Sequence, residues 1–154
     1  MQVVMDIGGT NCRIATLDEN HNLKALESWS CLDFSGPAEV FSSYIEKHQL
    51  EVMSLCMAIA SPLVEDRVTM TNLNWSFSGK ELKQQLSLKT LNIINDFHAV
   101  ALAIPLLGNT EKIQLGAGNI DPDKPALICG PGTGLGVAIL SRRGNLWQVL
   151  PGEG

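Results

Sequence analysis

Gln2-Val3-Val4-Met5-Asp6-Ile7-Gly8-Gly9-Thr10-Asn11-Cys12-Arg13-Ile14-Ala15-Thr16-Leu17 decides how this chain folds. Residues 2–7 are largely apolar and read as a buried strand. Gly8-Gly9-Thr10-Asn11 reads as a tight turn, and residues 12–17 as a second strand with Arg13 polar between apolar neighbours. Asp18-Glu19-Asn20-His21-Asn22 is a polar turn before a third strand over residues 23–30. The linkers are too short for the crossover that parallel strands need, so an antiparallel meander is expected.

Beyond the meander, helices and strands alternate. Pro37 suits the first turn of a helix, and Phe41, Tyr44, Ile45 and His48 follow at helical spacing. The apolar run over residues 52–60 ends at Ser61-Pro62 and reads as a central strand; a shorter strand covers residues 67–71. Ser78-Gly79-Lys80-Glu81 has the form of a capping box and opens a helix to about residue 86. Residues 91–94 form another buried strand, and a helix runs over residues 96–104 until Pro105 stops it.

After Gly108 the chain turns to loop chemistry, in Gly116-Ala117-Gly118-Asn119 and Asp121-Pro122-Asp123-Lys124-Pro125. Strands over residues 126–129 and 137–141 then flank a glycine-rich turn, and Arg143-Gly144-Asn145 turns into a strand over residues 146–150. A meander followed by alternating elements is an α/β pattern with a mixed sheet. The change of texture places a domain boundary near 108–110, giving domains 1–108 and 109–154. A second domain that short buries little by itself, so the sequence is expected to be the beginning of a longer one.

The 154 residues carry 11 Lys and Arg against 16 Asp and Glu, a net charge of −5, with 45% hydrophobic and 18% charged residues. That is the composition of a folded chain, and the acidic balance speaks against nucleic-acid partners and against a basic membrane-surface role. The longest apolar run, residues 99–107, contains Pro105 and is far shorter than the ~20 residues of a membrane span. The N-terminus lacks the basic region and cleavage site of a secretory signal, so a cytoplasmic location is expected. Cys12, Cys31, Cys56 and Cys129 form no C-x-x-C pair, which removes the obvious zinc and iron–sulfur patterns and leaves four reduced thiols.

Four places carry chemistry. At Gly8-Gly9 the missing Cβ atoms let backbone amides approach an anion, Thr10 and Asn11 add donors, and Asp6 at the strand end can hold Mg²⁺ through water. An ordinary Gly-Gly hairpin has the same composition. Gly130-Pro131-Gly132-Thr133-Gly134-Leu135-Gly136 is a second amide cradle, matching neither the dinucleotide fingerprint nor a Walker A loop; a flexible hairpin is its plain alternative. Asn95-Asp96 joins a strand to an apolar helix, where the carboxylate serves either as a helix cap or as a general base accepting the proton of a substrate hydroxyl. Glu153, between glycines, is either a solvated turn residue or an acceptor for sugar hydroxyls.

Together these segments resemble the bacterial glucokinase family, within the fold shared by actin-like ATPases and sugar kinases. Met5-Asp6-Ile7-Gly8-Gly9-Thr10-Asn11-Cys12-Arg13 is similar to its first phosphate motif. Met70-Thr71-Asn72-Leu73-Asn74-Trp75-Ser76-Phe77-Ser78 resembles its TN..W.FS segment, and Ile93-Ile94-Asn95-Asp96-Phe97-His98-Ala99-Val100 its catalytic-Asp segment. The loop from Gly130 to Gly136 resembles its second phosphate loop, and Leu150-Pro151-Gly152-Glu153-Gly154 the start of its sugar motif.

The resemblance implies a ribonuclease H-like (actin-like ATPase) mixed sheet. It implies transfer of the ATP γ-phosphoryl group to the 6-hydroxyl of glucose, with Asp96 as base and Asn95, Asp96 and Glu153 on the sugar. Asp6, Gly8, Gly9, Thr10 and Asn11 would face phosphate and Mg²⁺, as would Gly132, Thr133 and Gly134. Family members are about twice as long and often dimeric, so an N-terminal fragment and a homodimer are expected, with the following His, a further sugar-binding Glu and the adenine pocket beyond residue 154. Two other readings stay open: a non-catalytic sugar-binding module of the same fold, and a kinase for another hexose such as fructose or mannose. The Cys/His cluster of the zinc-binding branch is absent, and no helix-turn-helix precedes the first strand.

Overall fold

The structure is a computed structural model that describes residues 1–121, 123–131 and 135–151. Its contacts group into two compact units, Met1–Asp96 and Phe97–Gly154.

The first unit begins with β1 (Gln2–Ile7), β2 (Asn11–Leu17) and β3 (Leu23–Ser30), followed by α1 (Pro37–His48) and β4 (Ser54–Ile59). Then come β5 (Leu63–Val64), β6 (Arg67–Thr69), β7 (Ser76–Ser78), α2 (Gly79–Gln85) and β8 (Thr90–Asn95). The main sheet has the order β3-β2-β1-β4-β8; the first three strands form the expected antiparallel meander, and β1, β4 and β8 run parallel. The mixed α/β sheet is therefore as expected, with β4 an interior strand between β1 and β8.

Period-two alternation shapes its core. Val3, Met5 and Ile7 of β1 and Leu55, Met57 and Ile59 of β4 are buried in one cluster with Val40, Phe41 and Tyr44 of α1. The α1 stripe is thus Val40, Phe41 and Tyr44, with Ile45 half-buried against the same cluster. His48 does not continue it into the core: its Nε2 lies 2.6 Å from Glu27 Oε1, while Lys47 Nζ donates to Glu27 Oε2 at 2.7 Å. Tyr44 Oη donates to the carbonyl of Ala25 at 2.8 Å, where the β2–β3 register shifts and Ala25 takes φ +50°.

β5, β6 and β7 form a separate three-stranded sheet that the sequence showed only at β6. The cap of α2 is half the expected box. Ser78 Oγ accepts from Glu81 N at 3.2 Å, but the carboxylate that completes it is Asp66, which accepts from Ser78 Oγ and from Lys80 N.

The second unit holds α3 (Asp96–Ala103) from Phe97 onward, and the antiparallel sheet β9 (Ala126–Pro131), β10 (Leu135–Arg143) and β11 (Leu146–Pro151). The units divide earlier than the boundary at 108–110 inferred from loop chemistry. The reason is packing: Phe97, Ala101 and Ile104 cluster with Ile128, Ala138, Leu140 and Val149. Among the described residues no helix is long and apolar enough to cross a membrane.

Candidate functional site

The first glycine turn is pinned on several sides. Ile7 and Cys12 form the last pair of the β1–β2 ladder, and Gly8 N donates to Asn11 O at 2.9 Å. Ala60 N reaches Ile7 O at 2.9 Å, Cys31 N reaches Thr10 O at 2.8 Å, and the Cys31 thiol donates to Gly8 O at 3.6 Å. Neither Gly8 nor Gly9 is in the left-handed region, so space is what requires glycine here. A methyl on Gly8 would meet Asn11 O at 3.3 Å, and one on Gly9 would meet Asn72 Nδ2 at 3.2 Å. Thr10 and Asn11 are exposed, with Gly8 and Gly9 half-buried beside them.

Cys31 and Cys12 are fully buried beneath this turn. Burial pushes the Cys31 thiol up to about 12, and the neighbouring Cys12 thiol is raised by burial too. Both stay protonated at neutral pH and serve as packing and weak donors rather than nucleophiles. Cys56 is half-buried, while Cys129 is exposed.

Parallel register brings the other candidate carboxylate to the same edge. Ile7 pairs with Ile59, and Ile59 pairs with Asn95, so the ends of β1, β4 and β8 share one row. Gly8 follows one outer end of that row and Asp96 the other. With strands ≈ 4.8 Å apart, the two chain exits are about 10 Å apart across the sheet. Asn95 and Asp96 are both half-buried. Asp96 opens α3, where the helix dipole favours a negative charge.

Asp6 carries the ion pair with Arg13, at 3.0 Å and with side chains 48% and 63% exposed. A pair so open to water contributes no more than about 1 kcal/mol. Among the described residues no group of three or more His, Cys, Asp or Glu could hold a metal ion. A lone carboxylate next to amide and hydroxyl donors nonetheless suits Mg²⁺, which keeps much of its water and binds through one or two carboxylates together with phosphates. Asp6 fits that donor set.

In the second unit the glycine hairpin has a role that sequence reasoning missed. Gly130 and Gly136 face each other across β9 and β10. The ring of Phe97 lies over that pair: a methyl on Gly130 would come within 2.3 Å of it, and one on Gly136 within 1.9 Å. These outer glycines are therefore spaces for an aromatic ring. Gly132, Thr133, Gly134 and Glu153 lie outside the described residues. A hollow of the first unit, about 520 Å³, is lined by Ser35, Glu39, Trp75, Phe77 and Gln85 among others and contains none of the candidate residues. The Glu39 carboxylate there is already engaged by Ser35 N and Oγ, both at 2.7 Å.

The family model for glucokinase matches residues 3–154. The chain belongs to the glucokinase family. A glucokinase of Colwellia psychrerythraea is 43% identical over 100% of this chain and 47% of its own length. The crystal structure of a glucokinase from an Antarctic psychrotroph superposes with a TM-score of 0.85 at 34% identity, over 99% of this chain and 50% of that one. A Balamuthia mandrillaris glucokinase in complex with glucose shares the fold at a TM-score of 0.68 and 23% identity, over 99% of this chain and 47% of that one. The chain spans about half the length of the curated glucokinases it matches.

Proposed function

We propose that the protein carrying this sequence is an ATP-dependent hexose kinase that moves the γ-phosphoryl group of ATP to the 6-hydroxyl of glucose. Membership of the glucokinase family supports the reaction class, and the glucose bound by the Balamuthia relative supports the sugar. The observation that carries the reading is the shared row of Ile7, Ile59 and Asn95, which sets a glycine turn and a carboxylate at one sheet edge. The order β3-β2-β1-β4-β8, antiparallel then parallel, supports a ribonuclease H-like, actin-like ATPase fold.

Phosphoryl transfer asks a protein mainly for positioning and for stabilisation of spread negative charge. Asp96 accepts the proton of the 6-hydroxyl while that oxygen bonds to the γ-phosphorus. The bond from phosphorus to the bridging oxygen breaks, and ADP leaves with its electron pair. Asn95, Asp96 and Glu153 hold sugar hydroxyls. Gly9, Thr10 and Asn11 offer amide and side-chain donors to phosphate, with Gly8 leaving room beside them, and Gly132, Thr133 and Gly134 of the second glycine-rich segment do the same. Asp6 would hold Mg²⁺ through water, and the ion, when bound, would neutralise charge on the phosphate oxygens. ATP and free hexose meet in the cytoplasm, the compartment proposed for the protein.

The test is Asp96→Asn at the protein's native length. Turnover should fall about 10²–10⁴-fold, the usual contribution of a general base, while glucose affinity stays within about tenfold. Turnover like that of the unaltered protein would remove Asp96 as the base.

A further inference from the structure

The Met70–Ser78 stretch has no part in the mechanism above, yet its third residue, Asn72, stands beside the Gly8–Asn11 turn. Three anchors hold this loop. Met70, Leu73 and Trp75 are buried at 5%, 8% and 5% exposure. Met70 N donates to Trp75 O at 3.0 Å and closes the loop, and Trp75 Nε1 donates to Phe34 O at 3.2 Å. Just upstream the buried Ser61 hydroxyl donates to Thr69 O at 2.8 Å. With both ends and Leu73 fixed, Thr71, Asn72 and Asn74 are left exposed.

Asn72 is the residue this arrangement aims at the turn. A methyl on Gly9 would lie 3.2 Å from its Nδ2 and 3.7 Å from its Cβ, so the absence of a side chain at Gly9 leaves the carboxamide uncrowded beside the turn. Among the described residues that carboxamide has no hydrogen-bond partner, although it sits on a loop held rigidly enough to give it one. An exposed amide donor beside a glycine turn has the chemistry of an anion contact, and a bond from it to a charged phosphoryl oxygen is stronger than one to a neutral acceptor.

We infer that Asn72 is a further phosphate-contacting residue, donating from Nδ2 to a phosphoryl oxygen of the nucleotide held at the Gly8–Asn11 turn. The inference rests on the kinase reading and adds to it a residue from a segment that supplies none of its other contacts. Gly9 then serves to admit Asn72 beside the turn.

Three variants test this at native length: Asn72→Ala, Asn72→Asp and Gly9→Ala. The readouts are the Kd for Mg-ATP by calorimetry, separate KM values for ATP and glucose, and the melting temperature. Loss of one charge-assisted hydrogen bond in Asn72→Ala should raise the ATP Kd and KM by about tenfold or more, with the glucose KM within about twofold. Asn72→Asp keeps the shape but sets a negative charge against phosphate, so its ATP affinity should fall further than that of Asn72→Ala. Gly9→Ala displaces the carboxamide, so combining it with Asn72→Ala should cost less than the sum of the two.

ATP Kd and KM within about twofold of the unaltered protein in both Asn72 variants would overturn the inference, since even a modest hydrogen bond to a charged group exceeds that. Equal losses for ATP and glucose together with a lower melting temperature would overturn it as well, by showing a structural role. An unaltered protein that neither binds Mg-ATP nor phosphorylates glucose would instead bring down the kinase reading itself, a result separate from the Asn72 comparison.

Discussion

At Gly8 and Gly9 an added methyl group would meet a backbone oxygen at 3.3 Å and the end of an asparagine side chain at 3.2 Å, whereas at Gly130 and Gly136 it would drive into the Phe97 ring at 2.3 and 1.9 Å. The two glycine turns look alike as sequence and differ as structure. The first is a backbone knot whose carbonyls are tied by Ala60, Cys31 and Gly8 itself. The second has at its stem a cross-strand glycine pair that exists to let an aromatic ring lie flat on two strands. Glycine content alone therefore does not mark a ligand site; what stands in the vacated space decides its meaning.

That difference predicts a steep ranking of alanine substitutions. Gly136→Ala should be the most damaging. Its methyl cannot coexist with the ring, and the strain should reach about 3 kcal/mol, the upper end for overpacking. Urea unfolding measures it, and Phe97→Ala in the same chain should recover much of the loss. A stable Gly136→Ala, or one that ring removal does not help, would break the contrast between the hairpins.

Cys31→Ala should cost about 1–2 kcal/mol, through a buried side chain and the bond to Gly8 O. Amide exchange at residues 8–11 should quicken, and unchanged exchange there would deny that the thiol holds the turn. Gly9→Ala should cost less than about 1 kcal/mol, because the atom in its way ends a flexible side chain and can swing aside. A large loss of stability would mean that the first turn is as tightly packed as the second.

Acid supplies the gentlest contrast. The hydrogen bond from Lys47, aided by that from His48, holds the Glu27 carboxyl below its usual value. Asp18, Glu39 and Asp66 are lowered as well, chiefly by the Asn22 amide, the Ser35 amide and the Ser78 hydroxyl respectively, and all four lie in the first unit. A carboxyl with a depressed folded pKa stabilises fully above its unfolded value, about 4.3 for Glu, and that contribution drains away as pH falls through the folded value. Melting followed by exchange at amides of the first unit should decline with acidification below that point. Glu27→Gln should flatten the decline, and an unchanged slope would remove Glu27 from the account.

Much of the first unit was legible because its signals are local. Apolar runs marked β1 and β4, Arg13 between apolar neighbours marked β2, short polar turns fixed the meander, and Ser78 marked the start of α2. The failures share the opposite character. β5 and β7, of two and three residues, are too short to carry a period and exist because β6 pairs with both. α3 is apolar on nearly every side, so no stripe told which unit it joins. The cap on Ser78 is completed by Asp66 rather than by the neighbouring Glu81, and the fit of Phe97 to Gly130 and Gly136 joins residues far apart in sequence. Of the candidate site, Asp6, Gly8–Asn11, Asn95 and Asp96 were proposed from their motifs alone. The approach of Asn72 to Gly9 was not, since only the folded loop brings the two together.

β8 ends the sheet with β4 as its one ladder partner, and it alone carries Asn95 to the edge where Asp96 begins. Slippage of that ladder by a single residue would move the aspartate about 3.3 Å and invert which side of the pleat every neighbour occupies. The short link over residues 87–89 behaves like the zero-setting screw of a gauge: adding or deleting one residue there would leave each part intact and the instrument misaligned. Evolutionary drift in loop length should therefore be permitted at Asp18–Asn22 and refused between α2 and β8.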